Sequence, residues 1–326
     1  MSRTGLAFVL TALLATACTE PEAAVRQASI TPADSNRLDV TGGSMWYRVT
    51  GSGSGTPVVL LHGGPGFSSF YLKPLEALGD DRPVIRYDQL GSGKSDRTSD
   101  TTLFTIEHFV EQLDALRRHL GIERFHVYGH SWGTMLAVEY YRAHAEHVVS
   151  LTLGSAALDS RAWEQHARTL LATLPDSMVR AVEVREAEQN YEAEDYQAAL
   201  NEFYNRYVWQ RPVPADLDSL MSTFNPDIYG YMWGPSEFTV TGTLKEFNAR
   251  PLLGSISVPV LFTVGEFDEA GPETIQQFGD MTPDARVVVI PGAAHITAWD
   301  NPQADVAAVR TFLRAVDANH DSDAGR

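Results

Sequence analysis

The sequence is short of cysteine, of positive charge and of long hydrophobic runs. Cys18 is the only cysteine among 326 residues, so no disulfide can close within the chain and no paired-cysteine zinc site can form. No HExxH run occurs either, and no metal or cofactor is expected. Lysine and arginine number 25 against 42 aspartates and glutamates, a formal net charge of −17. A phosphate backbone requires a basic footprint, so nucleic-acid binding is excluded as a function. The apolar run at residues 5–17 falls short of the ~20 residues that a membrane-spanning helix needs. Internal repeats are absent. Residues 88–95 end in Gly93-Lys94-Ser95, as a phosphate-binding P-loop does, but Asp88 stands where that pattern requires its first glycine. This stretch therefore reads as a structural turn. What remains is a chain with 44% hydrophobic residues, enough for a large soluble core, either undivided or carrying an inserted lid.

The N-terminus reads as a targeting segment. Arg3 precedes the uncharged run 5–17, which has the length of a signal-peptide h-region. Small residues then lead to Cys18, and Leu14-Ala15-Thr16-Ala17-Cys18 resembles a bacterial lipobox. The expectation is a signal peptide over 1–17, lipidation at Cys18 and a polar tether over 18–38. The protein would then be an exported cell-envelope lipoprotein on the periplasmic side, meeting the membrane only through its lipid anchor.

Beyond the tether, short apolar runs alternate with helical patterns. Strands are expected at 45–49, 58–61, 83–87, 125–128, 148–153, 258–264 and 286–290, and helices at 106–120, 134–143 and 302–316. That alternation predicts βαβ units and a mostly parallel sheet flanked by helices. Residues 159–245 break it. They are helical, aromatic and charged without a clear buried strand, and read as an inserted helical cap. The core would then comprise 39–158 and 246–317, with 318–326 a flexible tail.

Two glycine-rich segments carry the chemistry. Gly129-His130-Ser131-Trp132-Gly133 lies between a strand and a helix, where G-x-S-x-G forms a nucleophile elbow. Ser131 is the expected nucleophile. His62-Gly63-Gly64-Pro65-Gly66 follows the strand at 58–61, and the Gly64 and Trp132 N–H groups are the expected oxyanion donors. His62 is expected to brace its own loop. In this arrangement the acid follows the serine and the histidine comes last. Asp268 follows the strand ending at Val264, at the strand edge where ligand sites gather in open sheets, with Asp159 as its rival. His295, in the loop after the last strand, is the expected base.

HGGPG at 62–66, DQLGSGKSD at 88–96 and GHSWG at 129–133 resemble, in that order, the proline iminopeptidase family of α/β-hydrolases over residues 40–317. Residues 233–243 and 265–269 are most similar to its tricorn-associated aminopeptidase branch. The resemblance implies an α/β-hydrolase fold and a serine aminopeptidase without cofactor. Its substrate would be a small peptide bearing proline or another small or apolar N-terminal residue. It also implies that Glu237 and Glu269 hold the substrate's free α-amine. A buried ammonium needs anionic partners, which agrees with that role. Trp132, Phe67, Trp233, Tyr229 and Trp299 are candidates for an apolar pocket. The alternatives are an amidase or esterase acting on amino-acid amides or esters, a general carboxylester hydrolase, and a non-catalytic binding lipoprotein. The oligomeric state stays open.

Overall fold

The computed structural model describes residues 32–211 and 223–324. The expected signal peptide, Cys18 and most of the tether lie outside the described residues. Eight strands form one sheet: β1 (Ala33–Val40), β2 (Gly43–Thr50), β3 (Val58–Leu61), β4 (Val84–Tyr87), β5 (Phe125–His130), β6 (Val148–Gly154), β7 (Val260–Gly265) and β8 (Ala285–Ile290). Their order is β1-β2-β4-β3-β5-β6-β7-β8. The pairs β1–β2 and β2–β4 are antiparallel; every later pair is parallel.

Strand residues alternate between two cores, as the period of two demands. Val59, Leu61, Val127, Leu151, Phe262 and Val264 face one core, completed by α1 (Ile106–His119) and α2 (Trp132–His144). Val58, Leu60, Tyr128, Val149 and Leu261 face the other, closed by a 3-10 helix (Ser69–Asp80) and the last helix. The central strands are therefore buried on both faces, which explains their continuous apolar runs. Helix α1 starts where Thr105 Oγ1 accepts the His108 N–H at 3.2 Å. It ends with Arg117, Arg118 and His119 in its last turn, the basic end that the helix dipole favours.

Between β6 and β7 come α3 (Ser160–Leu171), α4 (Asp176–Ala187), α5 (Glu194–Tyr207) and α6 (Pro226–Met232), followed by the single turn α7 (Arg250–Leu253). An isolated bridge between Asp159 and Asn248 closes the neck of this insertion. Helix α8 (Pro272–Met281) separates β7 from β8, and α9 (Thr297–Asp300) precedes α10 (Pro302–Ala324). Among the described residues no helix is long and apolar enough to cross a membrane.

Two expected boundaries are corrected. The sheet begins at Ala33, so the tether ends before residue 38. Leu38 and Val40 pack against the core, and Arg37 ion-pairs with Asp96, contacts invisible in a polar local pattern. Helix α10 also continues through Ala324 instead of giving way to a flexible tail at 318. Residues 317–324 contain neither glycine nor proline, and each further residue adds one helical hydrogen bond. The 3-10 helix and α8 had no counterpart in the sequence reading.

Candidate active site

Strand β5 ends at His130 and α2 begins at Trp132, which leaves Ser131 alone in the turn with φ 55° and ψ −124°. A non-glycine residue held there costs about 1–3 kcal/mol. Hydrogen bonds hold it: Ser131 N–H donates to Gly154 O at 3.0 Å, and Thr134 N–H and Oγ1 donate to Ser131 O at 2.8 and 2.6 Å. The flanking glycines are sterically required. A Cβ on Gly129 would sit 2.3 Å from Gly133 O, and one on Gly133 would sit 2.3 Å from Leu61 O.

The glycine-rich loop after β3 lies against this elbow; a Cβ on Gly63 would be 3.0 Å from Ser131 Cβ. Among the described residues neither the Gly64 N–H nor the Trp132 N–H donates to another backbone oxygen. His62 does brace the loop: Nδ1–H donates to Gly63 O at 2.9 Å, and Nε2 accepts the Gln89 N–H at 3.0 Å. Gln89 also donates to His62 O and accepts the Trp132 indole N–H, so it joins loop to elbow. The stretch 88–95 is the structural turn expected. Asp88 accepts from Ser68 Oγ and from the N–H groups of Ser69 and Lys94.

Asp268 and His295 meet across two loops, with His295 Nδ1 at 2.9 Å from Asp268 Oδ1. Asp268 also accepts from Ser155 Oγ at 2.6 Å and from the N–H groups of Gly265 and Ala270. Burial works to raise the Asp268 carboxyl, but His295 and these hydrogen bonds outweigh it and hold the group below its usual range. The rival Asp159 is structural: it caps α3 through Ala162 N–H and pairs with Arg250 at 2.8 Å.

Glu269 and Glu237 converge on the same space. Glu269 is 1% exposed; its Oε1 lies 3.9 Å from His295 Nε2, and its Oε2 has no partner. Glu237 is enclosed by protein yet keeps some accessible surface, as a carboxylate lining a cleft does. Tyr229 Oη–H donates to it. The Trp163 and Trp233 indoles help to hold its charge, although neither closes a full hydrogen bond. Burial raises both carboxyls, and repulsion from Glu237 and Asp268 raises Glu269 further. Among the described residues neither has a lysine or arginine within ion-pair distance. Any negative charge on this pair therefore has no lysine or arginine to offset it. Among the described residues no His, Cys, Asp or Glu cluster is arranged to hold a metal ion.

The aromatic candidates divide. Phe67 packs on Phe224 (ring centroids 4.6 Å apart) and Phe224 on Tyr229, while Trp233 packs on Trp163, whose ring lies 5.4 Å from that of His295. Trp132 is corrected: its ring is buried in the core against Phe109, because its indole N–H is held by Gln89. Trp299 packs on Phe70 instead of joining the Trp163–Trp233 pair. Trp163, Ser155 and Gln89 were missed, since each acts through a neighbour remote in sequence.

A family model described as alpha/beta hydrolase fold matches residues 56–302. A proline iminopeptidase of Heyndrickxia coagulans is 40% identical over 86% of this chain and 98% of its own length. One from Clostridium botulinum is 34% identical over 74% of this chain and 84% of its own. The crystal structure of proline iminopeptidase from Mycobacterium smegmatis superposes with a TM-score of 0.81 at 35% identity, covering 88% of this chain and all of that one. With the family model over residues 56–302 and 40% identity to a proline iminopeptidase along nearly that protein's whole length, the chain belongs to the proline iminopeptidase family of α/β-hydrolases.

Proposed function

We propose that the protein is a serine aminopeptidase that releases proline or another small or apolar residue from the N-terminus of short peptides. The observation that carries this reading is the pair of enclosed carboxyls, Glu237 and Glu269, beside His295 and, among the described residues, with no lysine or arginine in ion-pair reach. A free α-ammonium supplies the missing positive charge, and anchoring it places the first peptide bond at Ser131.

Ser131 Oγ attacks the carbonyl carbon of the first residue while His295 Nε2 takes its proton. Asp268 orients the imidazole and stabilises its charged form. The Gly64 and Trp132 N–H groups receive the oxyanion. His295 then protonates the departing amine, and water, deprotonated by His295, hydrolyses the acyl-enzyme.

The deciding assay compares Pro-, Ala- and Leu-p-nitroanilides with their N-acetylated forms. Turnover restricted to the free-amine substrates is expected, and their ranking gives the pocket's preference. Equal or faster hydrolysis of blocked substrates or simple esters would refute amine recognition and leave a general amidase or esterase.

The N-terminal reading accompanies this function: export as a cell-envelope lipoprotein on the periplasmic side, anchored at Cys18. The Leu14–Cys18 motif supports it. Cys18→Ala is expected to lose lipid labelling and to leave the membrane fraction; retention of both would refute it.

A further inference from the structure

Tyr71 lies in the 3-10 helix Ser69–Asp80, outside every motif described above. Its hydroxyl accepts the Gly63 N–H at 2.5 Å and sits 3.0 Å from His130 Nδ1. His130 Nε2 in turn lies 2.8 Å from the backbone carbonyl oxygen of His295. These contacts fix every proton. A carbonyl oxygen can only accept, so Nε2 carries the hydrogen. Burial first, then the charge of His295, pulls the His130 pKa down to about 3, so the ring is neutral and Nδ1 accepts. Burial raises the Tyr71 pKa and keeps its hydroxyl protonated. The chain therefore runs from Gly63 N–H to Tyr71 oxygen, from Tyr71 O–H to His130 Nδ1, and from His130 Nε2–H to His295 oxygen.

Each link ends at a part of the site that must be placed accurately. Gly63 precedes the oxyanion donor Gly64, His130 precedes Ser131, and the carbonyl at the far end belongs to the base itself. Gly63 and Gly64 have no side chains with which to fix themselves, so their position depends on neighbours. A Cβ on Gly63 would meet Tyr71 Oη at 2.9 Å and Ser131 Cβ at 3.0 Å, so this glycine is wedged between hydroxyl and nucleophile. The rings also pack in sequence, Tyr71 edge-to-face on His130 and His130 tilted against His295, with centroids 5.2 and 4.8 Å apart.

We propose that Tyr71 is a positioning residue for the transition state: its hydroxyl, acting through Gly63 and His130, holds the oxyanion donor, Ser131 and His295 in mutual register. The proposal rests on the serine-aminopeptidase reading. It differs from a core-packing role in what it predicts. Packing supports ground-state and tetrahedral species alike, whereas register between donor and nucleophile matters chiefly once the tetrahedral oxygen forms.

The test is Tyr71→Phe, which removes only the hydroxyl. Two ligands report on the two states. Proline, the expected product, reads amine binding alone. Boroproline accepts the Ser131 Oγ lone pair at boron, passes the serine proton to His295 and places a boronate oxygen in the oxyanion hole. The expected result is a fall in kcat of about 10²-fold, the scale of a small misplacement of reacting groups. Boronate affinity should weaken by a similar factor, while KM and proline inhibition stay within about twofold. His130→Gln is the second variant, because glutamine keeps a donor for His295 oxygen but offers Tyr71 no acceptor at the Nδ1 position. It should give the same signature, and the double variant should be little worse than either single one. If Tyr71→Phe fails to fold, His130→Gln carries the test alone. Unchanged kcat and boronate affinity would overturn the proposal, as would equal weakening of boronate and proline. Failure of the wild-type protein to bind boronate would overturn the serine reading and this proposal with it.

Discussion

Ser131→Ala is expected to lower kcat on the order of 10⁴- to 10⁶-fold and to leave the fold intact. The loss is large because His295, Asp268 and the oxyanion donors act through this one oxygen; without it they keep only a residual effect on water attack. The fold should survive because the strained turn is held by backbone bonds, from Ser131 N–H to Gly154 O and from Thr134 to Ser131 O, and alanine keeps all of them. Steady-state rates beside a thermal melt check both halves. Fluorophosphonate labelling followed by peptide mass mapping checks the assignment independently. Retained turnover, or a label on any other residue, would sink the role of Ser131.

Glu269→Gln and Glu237→Gln are expected to carry the second-largest effect, confined to substrates with a free amine. Removing one charged partner from a buried pair costs about 2–5 kcal/mol, so kcat/KM for free-amine p-nitroanilides should fall by at least ~30-fold. N-acetylated substrates, which bring no ammonium, should lose nothing. Glutamine keeps the shape and one acceptor oxygen, so the difference reports chiefly the loss of charge. The pH dependence follows from the same carboxyls. Both are raised by burial, Glu269 also by repulsion from Glu237 and Asp268. As pH falls they take up protons before an ordinary glutamate would, and the attraction for ammonium is lost. The kcat/KM of free-amine substrates should therefore decline at a higher pH than the usual carboxylate range, and blocked substrates should not share that limb. Equal effects of either substitution on free and blocked substrates would refute amine binding by this pair.

The parts of the site legible in the sequence are those whose chemistry is local. Gly129 announces the elbow because the backbone contact it relieves, with Gly133 O, spans only four residues along the chain. Asp268 and His295 could be found because each follows an apolar strand, β7 or β8, and strand ends in a parallel sheet share one edge. The aromatic lining was less legible. Trp132 neighbours the nucleophile in sequence, yet its side chain turns into the core, where Gln89 holds the indole. Side-chain direction depends on a partner 43 residues away, which no local pattern encodes. Trp163 escaped notice for the same reason, as an ordinary helix aromatic until α3 is laid across His295.

By itself the sequence pointed to the chemistry proposed here: a serine elbow, a glycine-rich donor loop, an acid and a base in chain order, with nothing basic enough for nucleic acid. It determined most strands too, because burial on both faces imposes continuous apolar runs. Only the tertiary structure decided how the cap meets the catalytic loops. The carbonyl of Tyr207, at the end of cap helix α5, accepts the N–H groups of both Glu269 and His295 at 3.2 Å. It also decided that Tyr71 joins the donor loop to His130, and that Asp268 accepts from Ser155. These contacts close loops of many residues, and their geometry follows from how the elements pack, so no window of the sequence contains them.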